Sequence, residues 1–304
     1  MAVVSVINYK GGVGKTTLTA NVGAELANRG RTVLLIDLDP QSSLTFSFSR
    51  LDQWERELEA DRTILTWLSA FIRGRTIEPL YKYVVTPRAV NQVVQRNGSK
   101  GRLDLIASHL GLIDVDLDLA ATIGGARFQA SHPEFMTVHR LLAEALTDPA
   151  FSQYDVILID CAPNFNMVTR AAIVASEHVL IPARPDYLST LGIDYLRARL
   201  SELVETYNEV APAEINPVII GVVYTMLQYA SSGPINAQQT SMQRLAQIEI
   251  PIFWQTIRDN KTAITQAGDR SIPAVLAPEG TGPVIALQYE FQQLASEFLA
   301  KTRI

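Results

Sequence analysis

The sequence is short of cysteine: Cys161 is the only one in 304 residues. That excludes a disulfide framework and a zinc site built from cysteine pairs. It also lacks a long hydrophobic run; Val218–Leu227 is about half of the roughly 20 residues a membrane-spanning helix needs. Nor is positive charge in excess, with 26 Lys and Arg against 31 Asp and Glu and a net charge of −5. Bulk positive charge coating nucleic acid is therefore excluded, and any such contact has to come from a local patch. No basic segment precedes the first apolar stretch, so no secretory signal is expected. The four histidines, His109, His132, His139 and His178, show no metal-ligand spacing. What is present is 47% hydrophobic and 19% charged residues, the composition of an ordered globular protein. The expectation is a cytoplasmic protein with a single domain over 1–304 and an elaborated segment at about 45–150.

Strand and helix patterns alternate along the chain. Ala2–Ile7 is a short β-branched run that ends at Asn8 and a glycine cluster, and Thr16–Arg29 carries helical spacing up to Gly30. Further apolar strands are expected at Arg31–Asp37, Asp155–Asp160, Glu177–Pro182 and Pro217–Thr225, with long helices at Leu188–Val210 and Val284–Lys301. Near-continuous apolar strands alternating with helices indicate an α/β fold, a mostly parallel twisted sheet flanked by helices on both faces. Ligands of such sheets sit beyond the carboxyl ends of the strands. In the less regular middle, Arg50–Arg62 reads as a solvated helix. The stretch 79–103 has no acid but carries Lys82, Arg88, Arg96, Lys100 and Arg102. Asn97-Gly98 within it is a hairpin signal feeding a strand at Leu103–Ala107. Such a basic hairpin either touches nucleic acid or is simply solvated.

After the first strand comes Lys10-Gly11-Gly12-Val13-Gly14-Lys15-Thr16-Thr17. A loop that wraps phosphates must turn several backbone N–H groups inward, and its glycines supply that freedom. Lys15 places a point charge on the β- and γ-phosphates, and the Thr16 hydroxyl suits Mg²⁺. The helix that starts here aims its positive dipole end at the same anion. ATP and Mg²⁺ are the cofactors implied, and the fold class becomes a P-loop NTPase. The usual first glycine of the G-x-x-x-x-G-K-[ST] loop is Tyr9 here, and an additional lysine, Lys10, follows it.

That second lysine makes the chain resemble the deviant Walker ATPases, the ParA/MinD group. The resemblance implies a homodimer that clasps two ATP molecules, with Lys15 acting in cis and Lys10 reaching the partner's phosphates. A cation that completes the site only in the dimer makes hydrolysis conditional on dimerisation, like an arginine finger. Asp37-Leu38-Asp39-Pro40 resembles the family's first switch segment. On that basis Asp39 positions the attacking water, while Asp37 holds the loop lysine or the magnesium shell. Asp160-Cys161-Ala162-Pro163 is similar to a Walker B strand end, with Asp160 holding Mg²⁺ through water. Ala162 stands where the family usually has the first of two prolines, which puts the path of the second switch in doubt. The segment 221–226 resembles the strand end beside the base, so Thr225 and Met226 are candidate adenine contacts.

Relatives that share the loop suggest different tasks. Redox relatives need a cysteine pair, which Cys161 alone cannot supply. MinD-like proteins end in a basic amphipathic helix that lies on membrane. Here Phe291, Leu294, Ala295, Phe298 and Leu299 form a stripe whose neighbours Glu290 and Glu297 offset Lys301 and Arg303, so a core helix is expected and no stable membrane association. A Soj-like, short-form ParA positioning ATPase remains, with hydrolysis slow and partner-stimulated. The resemblance implies non-specific double-stranded DNA as a partner in the ATP state, nucleoid association, and a ParB-like or cargo-adaptor activating protein. Candidate DNA contacts are Arg197, Arg199, Arg258, Lys261 and Arg270, with Arg244 a further scattered cation. No helix-turn-helix domain is expected before the loop. The alternative is a nucleotide-gated MinD-like adaptor or membrane-surface regulator without DNA binding.

Overall fold

A computed structural model describes residues 1–122, 133–230, 233–245, 249–278 and 282–304. The chain opens with β1 (Ala2–Val6), α1 (Lys15–Asn28) and β2 (Thr32–Asp37). Three helices follow, α2 (Ser43–Phe46), α3 (Leu51–Glu57) and α4 (Ile64–Ile72). Next come β3 (Val84–Val85), α5 (Arg88–Arg96), β4 (Arg102–Ile106), α6 (Leu112–Thr122) and α7 (Pro133–Ala145). The second half runs β5 (Val156–Asp160), α8 (Met167–Val174), β6 (His178–Ala183), α9 (Tyr187–Asn208) and β7 (Val218–Tyr224). It closes with α10 (Asn236–Leu245), α11 (Lys261–Asp269) and α12 (Gly282–Thr302).

The seven strands form one sheet in the order β3-β4-β2-β5-β1-β6-β7. All neighbours are parallel except β3 and β4. Strand side chains alternate between two cores, as a period of two requires. Val33 and Leu35 of β2 pack on the face covered by α1, α5 and α12. Leu34 and Ile36 pack on the face of α4, α6, α8 and α9. Both faces are dry, which is why the strands read as unbroken apolar runs. The register sets Asp37 opposite Asp160. Thus both acids stand at the carboxyl edge, and β1 between β5 and β6 delivers the glycine loop to that edge.

The closing helix is a core element: Leu287, Phe291, Leu294, Ala295 and Phe298 of α12 are buried. Among the described residues, no helix is long and apolar enough to cross a membrane. The expected hairpin at Asn97-Gly98 is a correction. Arg88–Arg96 is helical instead, because Val90 and Val94 bury one face at i, i+4. Asn97-Gly98 ends that helix: Gly98 N–H donates to Gln95 O at 2.9 Å and Ser99 N–H to Val94 O at 3.1 Å, with Gly98 at φ 79°. Two of the basic residues there are also spent locally, Lys82 on Glu78 and Arg102 on Asp104. His132 and the side chain of Arg244 lie outside the described residues.

Candidate nucleotide site

The loop leaves β1 through Asn8, which is hydrogen-bonded on both sides. Asn8 donates from Nδ2 to Pro182 O at 2.7 Å, and its Oδ1 accepts the Lys10 N–H at 2.9 Å. Gly12 and Gly14 take φ of 67° and 83°, conformations that cost other residues strain. Lys15 folds back across the loop, donating to Asn8 O at 3.2 Å and Lys10 O at 3.3 Å. Burial lowers its pKa, while the charges of Asp160 and Asp39 pull it the other way. These are weak, exchangeable partners for an ammonium, so phosphate oxygens would replace them at little cost.

Thr16 meets Asp160 directly, its hydroxyl donating to Oδ2 at 2.7 Å. The other carboxylate oxygen, Oδ1, is buried with no hydrogen-bond partner. Burial and then the neighbouring Asp37 charge raise the Asp160 pKa well above the usual carboxylate range. An orphaned anionic oxygen next to a hydroxyl is a donor set that fits hydrated Mg²⁺, which keeps most of its waters and takes further oxygens from phosphate. Among the described residues no cluster of three His, Cys, Asp or Glu could hold a metal by itself.

Asp37 does not hold the loop lysine. Its Oδ2 accepts the Thr45 N–H at 2.8 Å and the Thr45 hydroxyl at 2.7 Å, and its Oδ1 accepts the Asp39 N–H at 3.1 Å. The carboxyl is fully buried, which pushes its pKa up to about 7 against these bonds. It braces the segment that follows β2 and holds neither the loop lysine nor Thr16. Asp39 sits in the turn so braced: Oδ1 accepts the Gln41 N–H at 2.9 Å, and its backbone carbonyl accepts from Ser108 Oγ at 2.7 Å.

Thr225 lines a cavity beside the loop, and its hydroxyl donates to Val13 O at 2.7 Å, which supports the phosphate loop. A Cβ at Gly14 would lie 3.6 Å from the same side chain. We expect Thr225→Val to strand the Val13 carbonyl and weaken ATP-analogue binding about tenfold, on the order of 1.4 kcal/mol. A fluorescent-nucleotide titration checks this, and unchanged affinity would remove Thr225 from the loop's support. Beside Gly14 and Thr225 lies a largely apolar cavity of about 250 Å³, walled by Met226, Ile257, Leu287 and Phe291. Met226, in a left-handed conformation at φ 56°, turns the chain along its rim.

The expected basic contacts divide. Arg258 and Lys261 line that cavity. The Arg258 guanidinium pairs with the buried Glu290 carboxylate at 2.8 Å and lies 5.4 Å from the Tyr229 ring centre. Arg197 faces Asp194 at 4.0 Å and Arg199 pairs with Glu202, both along α9. Lys261 and Arg270 are exposed at the two ends of α11. Three of the five candidate cations are thus already partnered.

Lys10 is tied within its own chain. Its Nζ lies 2.9 and 2.7 Å from the two Asp186 oxygens and 3.5 Å from Ser189 Oγ. Burial pushes the Asp186 pKa up, but Lys10 and the Ser189 N–H outweigh it and hold it below the usual carboxylate range. Tyr9 stacks on Phe165 at 5.9 Å and meets Tyr195 of α9 at 5.1 Å. Sequence reasoning missed Asp186, Thr45 and Ser108, and it took Glu290 only as an offsetting charge; of these Asp186 was findable, as an acid capping a helix start.

A seven-stranded sheet, a glycine loop that feeds α1, and a Thr16–Asp160 pair define a P-loop NTPase. Residues 1–211 match the family described as AAA domain; the chain belongs to it, as a P-loop ATPase of ParA/MinD type. The chromosome-partitioning ATPase Soj of Thermus thermophilus is 26% identical over 302 residues, 99% of this chain and 96% of that protein. A putative replication protein A of Sinorhizobium fredii is 26% identical over 272 residues, 88% of this chain, which spans only 59% of that protein's length. An ATP complex of Cyanothece McdA superposes with a TM-score of 0.72 at 20% identity, over 98% of this chain and 96% of that one. A cobyrinic acid a,c-diamide synthase of Mycobacterium smegmatis, with bound ATP analogue and magnesium, gives 0.66 at 24% identity, over 98% and 94%. At these identities the two structures establish the fold alone.

Proposed function

We propose that the protein is an ATP-dependent dimerising ATPase of the ParA kind, which binds non-specific DNA in its ATP state and positions a chromosome, plasmid or protein cargo. The observation that carries this reading is the pairing of Thr16 with a half-orphaned Asp160 beside a loop that bears two lysines. Loop N–H groups and Lys15 bind the phosphates, the apolar cavity takes the base, and Thr16 with Asp160 holds hydrated Mg²⁺. The metal would supply charge neutralisation to the phosphates. Asp39 orients the water that attacks, and Lys10 completes the site of a second copy. Turnover is slow until an activating partner, ParB-like or a cargo adaptor, acts on the dimer. Likeness to Soj over almost the whole chain supports the positioning role.

One observation favours the adaptor reading: Arg197, Arg199 and Arg258 already pair with acids. The deciding experiment is binding to non-specific duplex DNA without nucleotide, with ADP and with a slowly hydrolysed ATP analogue, across a salt series. Binding confined to the ATP state with a steep salt slope is expected. Arg258→Glu with Lys261→Glu should cost at least about tenfold in DNA affinity at low salt, each lost phosphate contact lowering the salt slope by about one. Since both residues also line the base cavity, nucleotide affinity is measured in parallel. No DNA binding in any state, despite intact nucleotide binding, would replace the positioning reading by the adaptor.

A further inference from the structure

The ends of two strands meet behind the Asp39 turn. Ser108, just past the end of β4, is fully buried, and its hydroxyl donates to the Asp39 carbonyl at 2.7 Å. Its N–H donates to the Thr45 hydroxyl at 2.9 Å, and that hydroxyl donates in turn to Asp37 Oδ2 at 2.7 Å. Asp37 Oδ1 accepts the Asp39 N–H at 3.1 Å, which closes the ring. All four residues are buried, so these groups have no bulk water to fall back on if a partner is lost. The middle of the chain fixes Ser108 in its turn. Trp54 of α3 donates from Nε1 to the Ser108 carbonyl at 3.2 Å, and the Ile64 N–H at the start of α4 donates to the Ala107 carbonyl at 2.9 Å. Trp54 is buried, edge-on to Phe46 of α2 at 5.7 Å and 5.4 Å from the His109 ring. With its N–H and C=O both engaged, the Ser108 backbone cannot turn the hydroxyl away from Asp39.

We infer that Ser108 is a positioning residue for ATP hydrolysis, and that Trp54, from the middle segment, holds it in place. The inference rests on the reading of Asp39 as the acid that orients water, and it adds what aims that acid. Asp39 is held at its N–H from the end of β2 and at its carbonyl from the end of β4. The hydrogen bonds of Lys15 and the Thr16–Asp160 pair stand outside this ring. The ring therefore acts on where the Asp39 carboxylate stands and not on how the phosphates are gripped. Orientation is steep: a group displaced by about 1 Å from a reacting atom can cost about 100-fold in rate. Losing the Ser108 hydroxyl forfeits part of that, because Asp37 still holds the N–H side of the turn. The helices α3 and α4 carry none of the candidate site residues, yet through Trp54 and Ile64 they fix the strand end on which Asp39 leans.

The test is single-turnover hydrolysis of Mg·ATP, read beside the affinity for a fluorescent ATP analogue. Ser108→Ala should slow hydrolysis about tenfold while affinity stays within about twofold, the split expected of a group that acts on the transition state alone. In an Asp39→Ala background the same substitution should change the residual rate less than about twofold, because no carboxylate is left to aim. A merely structural role for Ser108 would slow both backgrounds alike. Trp54→Phe removes the indole N–H and keeps a ring in the core, so it tests the same ring of bonds without touching Ser108. It should slow hydrolysis about threefold with affinity unchanged, and add little on top of Ser108→Ala. Wild-type turnover in Ser108→Ala, a parallel loss of affinity, or an equal loss in the Asp39→Ala background overturns the positioning role. Wild-type turnover in Trp54→Phe overturns the part given to the middle segment. If Asp39→Ala itself turns over like wild type, the water-orienting reading beneath the inference is what fails.

Discussion

Asp39→Ala is expected to bind Mg·ATP within about threefold of wild type and to hydrolyse it at least about 100-fold more slowly, the scale of losing one positioned base. The prediction depends on how the residue is held. The backbone of the turn is fixed without the Asp39 carboxylate: Asp37 accepts the Asp39 N–H, and Ser108 donates to the Asp39 carbonyl. Truncation therefore removes one bond, from the Gln41 N–H to Oδ1, at a cost of about 1 kcal/mol. The loop, Lys15, Thr16 and Asp160 do not need that carboxylate for their contacts. Retained nucleotide with lost turnover should trap the ATP-bound dimer, visible as single-turnover hydrolysis that stalls while sedimentation stays at the dimer. If Asp39→Ala fails to bind nucleotide, the acid shapes the ground-state site and the water-positioning role is wrong. If turnover survives, some other group orients the water.

Much of this arrangement was legible in the residues, for a physical reason. Where a strand is buried on both faces it must be an apolar run, and the run stops where chemistry begins; Asp37 and Asp160 both mark such ends. The glycine loop was readable because phosphate binding limits the residue types the backbone tolerates. What was not readable is which partner each polar group chooses in space. Asp37 looked like a magnesium or lysine partner, yet Thr45, eight residues on, takes one of its oxygens twice. Thr225 is a candidate base contact from its strand end alone, and nothing in that pattern shows that its hydroxyl also ties down the loop through Val13 O. Asn97-Gly98 carried a hairpin signal that also fits the end of a helix, and the buried spacing of Val90 and Val94 decided between them. A cation's type does not show whether it is free: Asp194 and Glu202 stand three residues from Arg197 and Arg199, and Glu290 reaches Arg258 from α12.

Asp160→Asn is expected to raise the thermal stability of the nucleotide-free protein while abolishing its response to Mg·ATP. Asp160 carries an electrostatic cost: one of its oxygens is buried without a partner, and burial together with the Asp37 charge raises the pKa of the acid. Asp37 beside it is pushed up to about 7. An acid whose folded pKa lies above its unfolded value binds more protons in the folded state, so stability is highest below the unfolded value. It then declines as pH rises toward the folded value, and above that the full cost is present. The wild-type protein in chelator should therefore melt lower at pH 8 than at pH 5, through both acids. Replacing Asp160 by Asn removes one charge and also the repulsion it exerts on Asp37. The amide keeps an oxygen to accept from Thr16, and its unpartnered amide nitrogen costs less than a buried charge. Relief of a single pKa unit would be about 1.4 kcal/mol, a rise of roughly 2 °C for a chain of this size. At pH 5, where protonation already relieves wild type, the two proteins should differ less. Adding the ATP analogue with Mg²⁺ should stabilise wild type strongly and the variant little, because the metal loses its protein carboxylate. A variant that melts below wild type at pH 8 would show that the Asp160 charge is already compensated without ligand, first by the Thr16 hydroxyl and then by Lys15, and that the acid is not held under load.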